Sequence, residues 1–448
     1  MKIASLSRAP GWRVAALASA CLPLAVHAGA FALIDHSARA LGLGYSDTVA
    51  GGEDASVLYM NPAGVWLLPG SQATASAIGL RVDSEFGDRG SGAAFGQPLG
   101  DTRANGGTSA VIPAMFGVFR TGRVTAGVGL FSPFGLASHY DSGWAGRFLA
   151  EKSEIRSYAL NGTLAFELTP SLALGAGVER QRFSATLTNA VNYTAVIAAG
   201  TQAVLGAPVI VPGAVGDAHL RGDDDRWAYT LGLVWKPNDD LRVGLSYRSG
   251  SNFELRGNAS FDPPALGDAT LQAIANAALP SGPVTLRLKT PDTVGVGMVL
   301  AIARNLRVSA EGARTAWSSV QEQRILRADG SLLQLTTLNW KDAWRLAVGA
   351  SYDWNTDVTL RAGFRHEASP IPDATRNARL PANTYVTFCT GVKVVLSPGR
   401  WIDLGLGYTR AKVAPIREDG GSATVYGLLL GEFRSSTLLA GAQYTQSF

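Results

Sequence analysis

Along most of the chain, apolar and polar residues alternate one for one in runs of about ten, the period of a strand with one greasy face and one polar or tiny face. In Trp344–Tyr352 the even positions are Trp344, Leu346, Val348, Ala350 and Tyr352, and the odd ones are Arg345, Ala347, Gly349 and Ser351. The same parity holds for Trp227 to Trp235, Leu241 to Tyr247, Val358 to Phe364, Ile402 to Tyr408 and Leu438 to Phe448. Fourteen such runs can be placed, near 71–83, 108–120, 123–136, 153–168, 171–190, 225–236, 241–260, 285–303, 306–327, 342–353, 357–367, 384–396, 401–413 and 435–448. Thr169-Pro170, Pro237-Asn238-Asp239-Asp240 and Trp354-Asn355-Thr356 read as tight turns, and the longer connections between them as loops at the opposite end.

Trp227, Trp235, Trp344, Tyr352, Tyr247 and Tyr408 stand near the ends of their runs. In a soluble sandwich aromatics spread through the core; in a membrane barrel they gather at the two interfaces. After residue 28 no charge-free apolar stretch is long enough for a spanning helix, and 189–216, though uncharged, holds Pro208 and Pro212. The fold expected is therefore all-β, a fourteen-stranded antiparallel transmembrane barrel, since only a closed sheet satisfies its backbone in lipid.

The N-terminus reads as an address. Lys2, Arg8 and Arg13 precede the apolar stretch Val14–Val26, and Val26-His27-Ala28 offers small residues at a cleavage site, so 1–28 is expected to be a signal peptide. A lipoprotein acylated at Cys21 would leave only Val14 to Leu17 as its apolar core. Without that leader, 39 basic and 35 acidic residues become 36 and 35, which removes any field-based case for a nucleic-acid partner. The remaining cysteine, Cys389, and the scattered His36, His139, His219 and His366 build no disulfide, metal site or catalytic set, so no cofactor, no metal and no enzymatic activity are expected.

Residues 29–70 break the alternation. Their pattern is helical or irregular, with too many apolar residues (Phe31, Leu33, Leu41, Leu58, Trp66) for a solvated tail, and they are expected to form a hatch plugging the barrel of 71–448.

Gly29-Ala30-Phe31-Ala32-Leu33, Leu41-Gly42-Leu43-Gly44-Tyr45-Ser46, Glu53-Asp54-Ala55-Ser56 and Asn61-Pro62-Ala63 resemble the hatch of the long-chain fatty acid transporters of Gram-negative outer membranes, the FadL type, a family that includes aromatic hydrocarbon channels. The likeness continues through Ser132-Pro133-Phe134-Gly135-Leu136-Ala137, Trp144-Ala145-Gly146-Arg147, Thr290-Pro291-Asp292-Thr293-Val294, Trp340–Arg345, Thr359–Gly363, Ser369–Asp373 and Leu380-Pro381. It implies uptake of long-chain fatty acids or similar hydrophobic molecules, captured between extracellular loops and released sideways through the wall at a kinked third strand. It places the hatch gate at Asn61, Pro62 and Ala63, and the lateral opening at Ser132, Pro133, Phe134 and Gly135; a proline inside a strand removes a ladder hydrogen bond.

Two insertions, 191–224 and 261–284, are unusually apolar for loops and are expected to form a capture groove from Leu205, Val209, Ile210, Leu271, Ile274 and Leu279. Two loop helices packed on each other are the plainer alternative. By parity Glu179, Arg242, Arg248, Arg307, Glu311, Arg345, Arg361 and Arg365 face the lumen. A carboxylate in a low-dielectric pocket needs a cation, preferably arginine, and the candidates are Arg147, Arg345 and Arg361. The expected partners are a fatty acid or other hydrophobic small molecule, outer-membrane lipid and lipopolysaccharide, and the outer-membrane assembly machinery, the last suggested by Tyr444 and Phe448; the chain is expected to be a monomer and to bind no nucleic acid. A hydrocarbon channel would need no carboxylate partner. A general porin is opposed by the hatch and the apolar loops, and a surface adhesin would use the loops for a protein partner.

Overall fold

A computed structural model describes residues 30–448; the expected signal peptide and Cys21 lie outside them. Twenty-one strand segments form one sheet closed by pairing of its first and last strands. Joining the collinear segments gives fourteen walls. They are β1 (Gln72–Asp88), β2 (Ser109–Thr121), β3 (Val124–Phe131, then Gly135–His139), β4 (Lys152–Thr169), β5 (Leu172–Asn192), β6 (Val215–Trp235) and β7 (Leu241–Arg248, then Asn252–Asp262). The second half comprises β8 (Gly282–Lys289, then Thr293–Ala303), β9 (Leu306–Thr315, then Glu322–Arg327), β10 (Leu332–Thr337, then Ala343–Asp353), β11 (Val358–Glu367), β12 (Tyr385–Ser397), β13 (Arg400–Ala411, then Ala414–Glu418) and β14 (Leu429–Ser447). Each pairs antiparallel with its chain neighbour, and β1 meets β14 from Gln72↔Ser447 to Asp88↔Gly431.

The greasy parity faces outward. Trp344, Leu346 and Val348 are all more than half exposed, whereas Arg345 and Ala347 between them are buried. Trp227 and Trp235, both exposed, lie eight residues apart on β6, which at a rise of ~3.3 Å per residue, shortened by strand tilt, matches an apolar band of ~25 Å. Trp227, Tyr229, Trp344 and Tyr408 thus mark one interface, and Trp235, Tyr352, Trp354 and Tyr444 the other.

Several walls run higher than alternation indicated. β5 and β6 reach Asn192 and Val215, so much of the insertion 191–224 is strand, and β1 continues to Asp88. Above the aromatic row both faces are wet or touch loops, so a strand such as 215–226, with Asp223-Asp224-Asp225, has no reason to alternate. At the core of each insertion is a helix, α2 (Tyr193–Leu205) capped by Asn192 and α3 (Ala269–Ala278) capped by Asp268. Among the described residues no helix is long and apolar enough to cross a membrane; the strands do so.

Candidate functional site: hatch, kink and lumenal cavity

The hatch is held by short helical turns, each started by a side-chain cap. Ser37 caps α1 (Ala38–Gly42), Asp54 caps the 3-10 turn Ala55–Tyr59, and Asn61 caps Pro62–Leu67, with proline at the first position, where its missing N–H costs nothing. Arg39 is buried and bridges Asp47 and Asp54, which staples the turns together. Other polar groups of the hatch reach the wall. Ser37 Oγ donates to Gln443 (2.7 Å), Thr48 Oγ1 donates to Glu311 (2.8 Å), and Val49 N–H donates to the same carboxylate (2.9 Å). At the end away from the loop helices, Arg120 donates to the carbonyls of Trp66 (3.0 Å) and Leu68 (2.9 Å).

Asn61, Pro62 and Ala63 sit directly on the wall. The Asn61 amide donates to Val49 O (2.6 Å) and Leu233 O (3.1 Å), while its oxygen accepts from Ala63 N–H (3.0 Å). The wall is cut away to receive them: a Cβ on Gly232 would lie 1.9 Å from the Asn61 oxygen, and one on Gly175 2.4 Å from the Ala63 nitrogen. A side chain at either place would lift this turn off the sheet.

The third wall is broken where Pro133 stands. Phe131 pairs with Ala159 but Gly135 pairs with Arg156, so four steps on β3 answer three on β4, a one-residue bulge. Ser157 fills the break, its hydroxyl donating to Phe134 O (2.7 Å) and accepting from Phe134 N–H (2.8 Å). On the other side β3 parts from β2: their pairing ends at Met115↔Leu130, and among the described residues no ladder joins 109–114 to β3. The freed edge of β3 is taken by the hatch. Leu33 N–H donates to Pro133 O and Gly135 N–H to Phe31 O, both at 2.9 Å, around the bridge Ala32↔Phe134. His36 Nε2 and Ser132 O are 2.8 Å apart.

Behind this bridge lies a cavity of about 60 Å³ lined by Leu33, Tyr59, Phe134, Arg248, Trp317 and Arg345, among others. That is room for about two water molecules. Arg248 is neutralised by Glu179 and lies over the Tyr59 ring. Arg345 Nη2 donates to Glu311 at 2.8 Å, while its buried Nη1 has no hydrogen-bond partner. Above the cavity, Phe31 is ringed by Trp317 (5.0 Å between centroids), Phe134 (5.8 Å), Trp340 (5.9 Å) and Phe183 (6.3 Å).

A barrel with a wall broken beside a plug is a fold with known relatives. A family model described as "Outer membrane protein transport protein (OMPP1/FadL/TodX)" matches residues 19–448. The chain belongs to this family. It is a protein of the Gram-negative outer membrane, and its relatives are transport proteins and channels rather than enzymes. It is similar to the long-chain fatty acid transport protein of Escherichia coli O6:H1, 25% identical over 421 residues that cover 91% of this chain and 93% of that one. The solved FadL homologue of Pseudomonas aeruginosa has the same fold, with a TM-score of 0.84 at 22% identity, covering 94% of this chain and 100% of the other. So has the toluene transporter TbuX of Ralstonia pickettii, with a TM-score of 0.66 at 19% identity, covering 92% and 98%.

Within this family member the three arginines proposed from sequence lie in three places. Arg345 lines the cavity at the kink. Arg361 is tied up beneath the hatch, between Asp403 (2.5 Å) and Glu53 (3.0 Å). Arg147 stands near the loop helices, donating to the carbonyls of Pro98 (2.7 Å), Leu99 (3.0 Å) and Trp144 (3.2 Å). Of the six capture residues, Leu271 and Leu279 pack partly against the cluster of Tyr193, Ile197 and Ala275, and Ile274 abuts Gly200, so α2 and α3 are packed on each other. Leu205 and Ile210 remain exposed and Val209 half-buried.

Sequence reasoning missed the connection between β11 and β12. Residues 368–384 cross the mouth to walls seven places round a ring of fourteen: Arg379 donates to Asn189 Oδ1 (2.8 Å), Ser153 Oγ (3.2 Å) and Lys152 O (3.3 Å) on β5 and β4. Tyr140 Oη donates to Ala378 O (2.8 Å) and Ala378 N–H to Glu418 (2.7 Å). The quoted motifs Ser369–Asp373 and Leu380-Pro381 bracket this strap, but nothing in them indicates which wall it reaches.

Proposed function

We propose that this protein takes up long-chain fatty acids by passive diffusion, gated by the hatch and released sideways at the third strand. The observation that carries the reading is Arg345, a buried guanidinium at the cavity behind the kink with one nitrogen unpartnered, the donor a carboxylate would need. The cavity is too small for an acyl chain, so entry requires the hatch segment 31–33 to leave the edge of β3, which would enlarge the cavity and uncover the gap beside β2 in one movement. In this reading 1–28 is removed on export, Asn61-Pro62-Ala63 anchors the part of the hatch that stays, and Leu205, Val209 and Ile210 offer the first greasy contact. The curated relative named a long-chain fatty acid transport protein supports it.

A second reading, uptake of aromatic hydrocarbons, is favoured by the ring of Phe134, Phe183, Trp317 and Trp340 around Phe31. Uptake of labelled oleate and of toluene by a deletion strain, with and without this gene, separates the two. Restored oleate uptake is expected; restoration of toluene alone would overturn the fatty acid assignment and remove the need for Arg345.

A further inference from the structure

The outer face of the barrel carries a second concavity, away from the lumen. It lies where β14, β1 and the short strand Arg103–Asn105, which pairs with β1, rise above the aromatic row, has a volume of about 570 Å³, and is lined by Arg89, Arg103 and Arg434 with Glu85, Asp88 and Glu432. Its height is fixed by register. Tyr408 pairs with Leu438 and Leu438 with Arg81, so Arg81 stands on the same row as the interfacial tyrosine, on the outward parity. Arg410, on the next outward position of β13, and Arg434, two outward positions above Leu438 on β14, lie higher.

The charges are unevenly satisfied. Asp83 accepts from Asn105 Nδ2 (2.7 Å), and Asp88 from the backbone of Gly90 (3.0 Å) and Ser91 (2.9 Å). Glu432 takes both Arg434 (2.9 Å) and Arg89 (3.2 Å), which brings two guanidinium groups together while each stays well exposed. Among the described residues Arg81, Arg103 and Arg410 have no acidic partner within ion-pair distance. Of the lining carboxylates Glu85 alone has no partner among the described residues, against the three unpaired arginines Arg81, Arg103 and Arg410, so guanidinium N–H groups are left over at headgroup height, immediately above lipid.

We propose that this cleft holds the phosphorylated sugar headgroup of a glycolipid of the outer leaflet. Arginine presents paired N–H groups to phosphate oxygens, and a cation at the rim of a lipid-facing wall gains most from an anion fixed at that depth. The acyl chains of such a lipid would run down β14 and β13 over Leu438, Leu406 and Leu404, which are exposed. The site lies on the outer wall and does not depend on what the lumen carries.

The test uses the full barrel in nanodiscs doped with a bisphosphorylated glycolipid, with lipid retention read by native mass spectrometry. Wild-type protein is expected to retain the lipid, and R103A/R434A to retain at least tenfold less while keeping the heat-modifiable migration of a folded barrel. R81Q is expected to give a smaller loss. Equal retention of the same glycolipid without its phosphates, unchanged retention by R103A/R434A, or full displacement by millimolar inorganic phosphate alone would each overturn the assignment.

Discussion

Arg345 is the residue on which the fatty acid proposal turns. Its Nη2 is committed to Glu311 and its Nη1 has no partner, so R345Q removes a charge-assisted donor while Glu311 keeps its hydrogen bonds from Thr48 and Val49. Such a bond is worth about 1.5–3 kcal/mol, so oleate binding measured by titration should weaken about tenfold to a hundredfold while toluene binding is unchanged. The lumenal direction of Arg345 is legible from alternation alone, but its availability is not. Arg361 shares the same parity yet is closed off by Glu53, on the hatch, and Asp403, on a wall two strands away, contacts with no local trace in the sequence. At the mouth, burial pushes the Glu418 carboxyl up to about 7, beneath the strap. A raised carboxyl pKa means that the packed strap favours the protonated form, so stability is lost as pH climbs from the ordinary carboxylate range through about 7. Protease cleavage within 368–384 should therefore be faster at pH 8 than at pH 6, and E418Q should abolish the difference.

Among the elements, the proposed release route rests on β3. Ala32 and Phe134 face each other as a pair flanked, not joined, by hydrogen bonds, the closer of the two antiparallel spacings at ~4.5 Å between Cα atoms and compatible with a disulfide. A32C/F134C should block oleate uptake when oxidised and recover it on reduction; uptake indifferent to the cross-link would mean that the hatch edge does not move. Pro133 marks the break plainly in the sequence. What fills the break, the Ser157 hydroxyl and the hatch residues 31–33, is not legible, because a lone serine on an alternating strand and a short apolar stretch before a helix have many uses. Two loop helices packed on each other are the plainer alternative that the apolar insertions allow, but the contact that joins them, Ile274 against Gly200, is a tertiary fact with no local trace.

For the whole molecule, two obstacles stand in series on the barrel axis, the strap above and the hatch below. R379A/Y140F, which removes the strap's bonds to walls β4 and β5 and to Tyr140 just beyond β3, should leave ion conductance in planar bilayers near baseline because the hatch still fills the lumen; a porin-like step would show that the strap alone closes the channel. The barrel and its outward face could be read almost wall by wall from alternation, since lipid enforces it, and the reading failed where lipid ends. The hatch has one more consequence, in time rather than space. Its first helix, α1, rests against β12, β13 and β14, with Ser37 bonded to Gln443. Those walls leave the ribosome last, so the segment made first has no seat until the final strand exists, and once β14 has zipped onto β1 along seventeen paired positions there is no side entrance large enough for forty folded residues. The plug is therefore expected to be seated as the cylinder shuts rather than threaded in through its wall afterwards, so that the barrel is stoppered from the moment it closes.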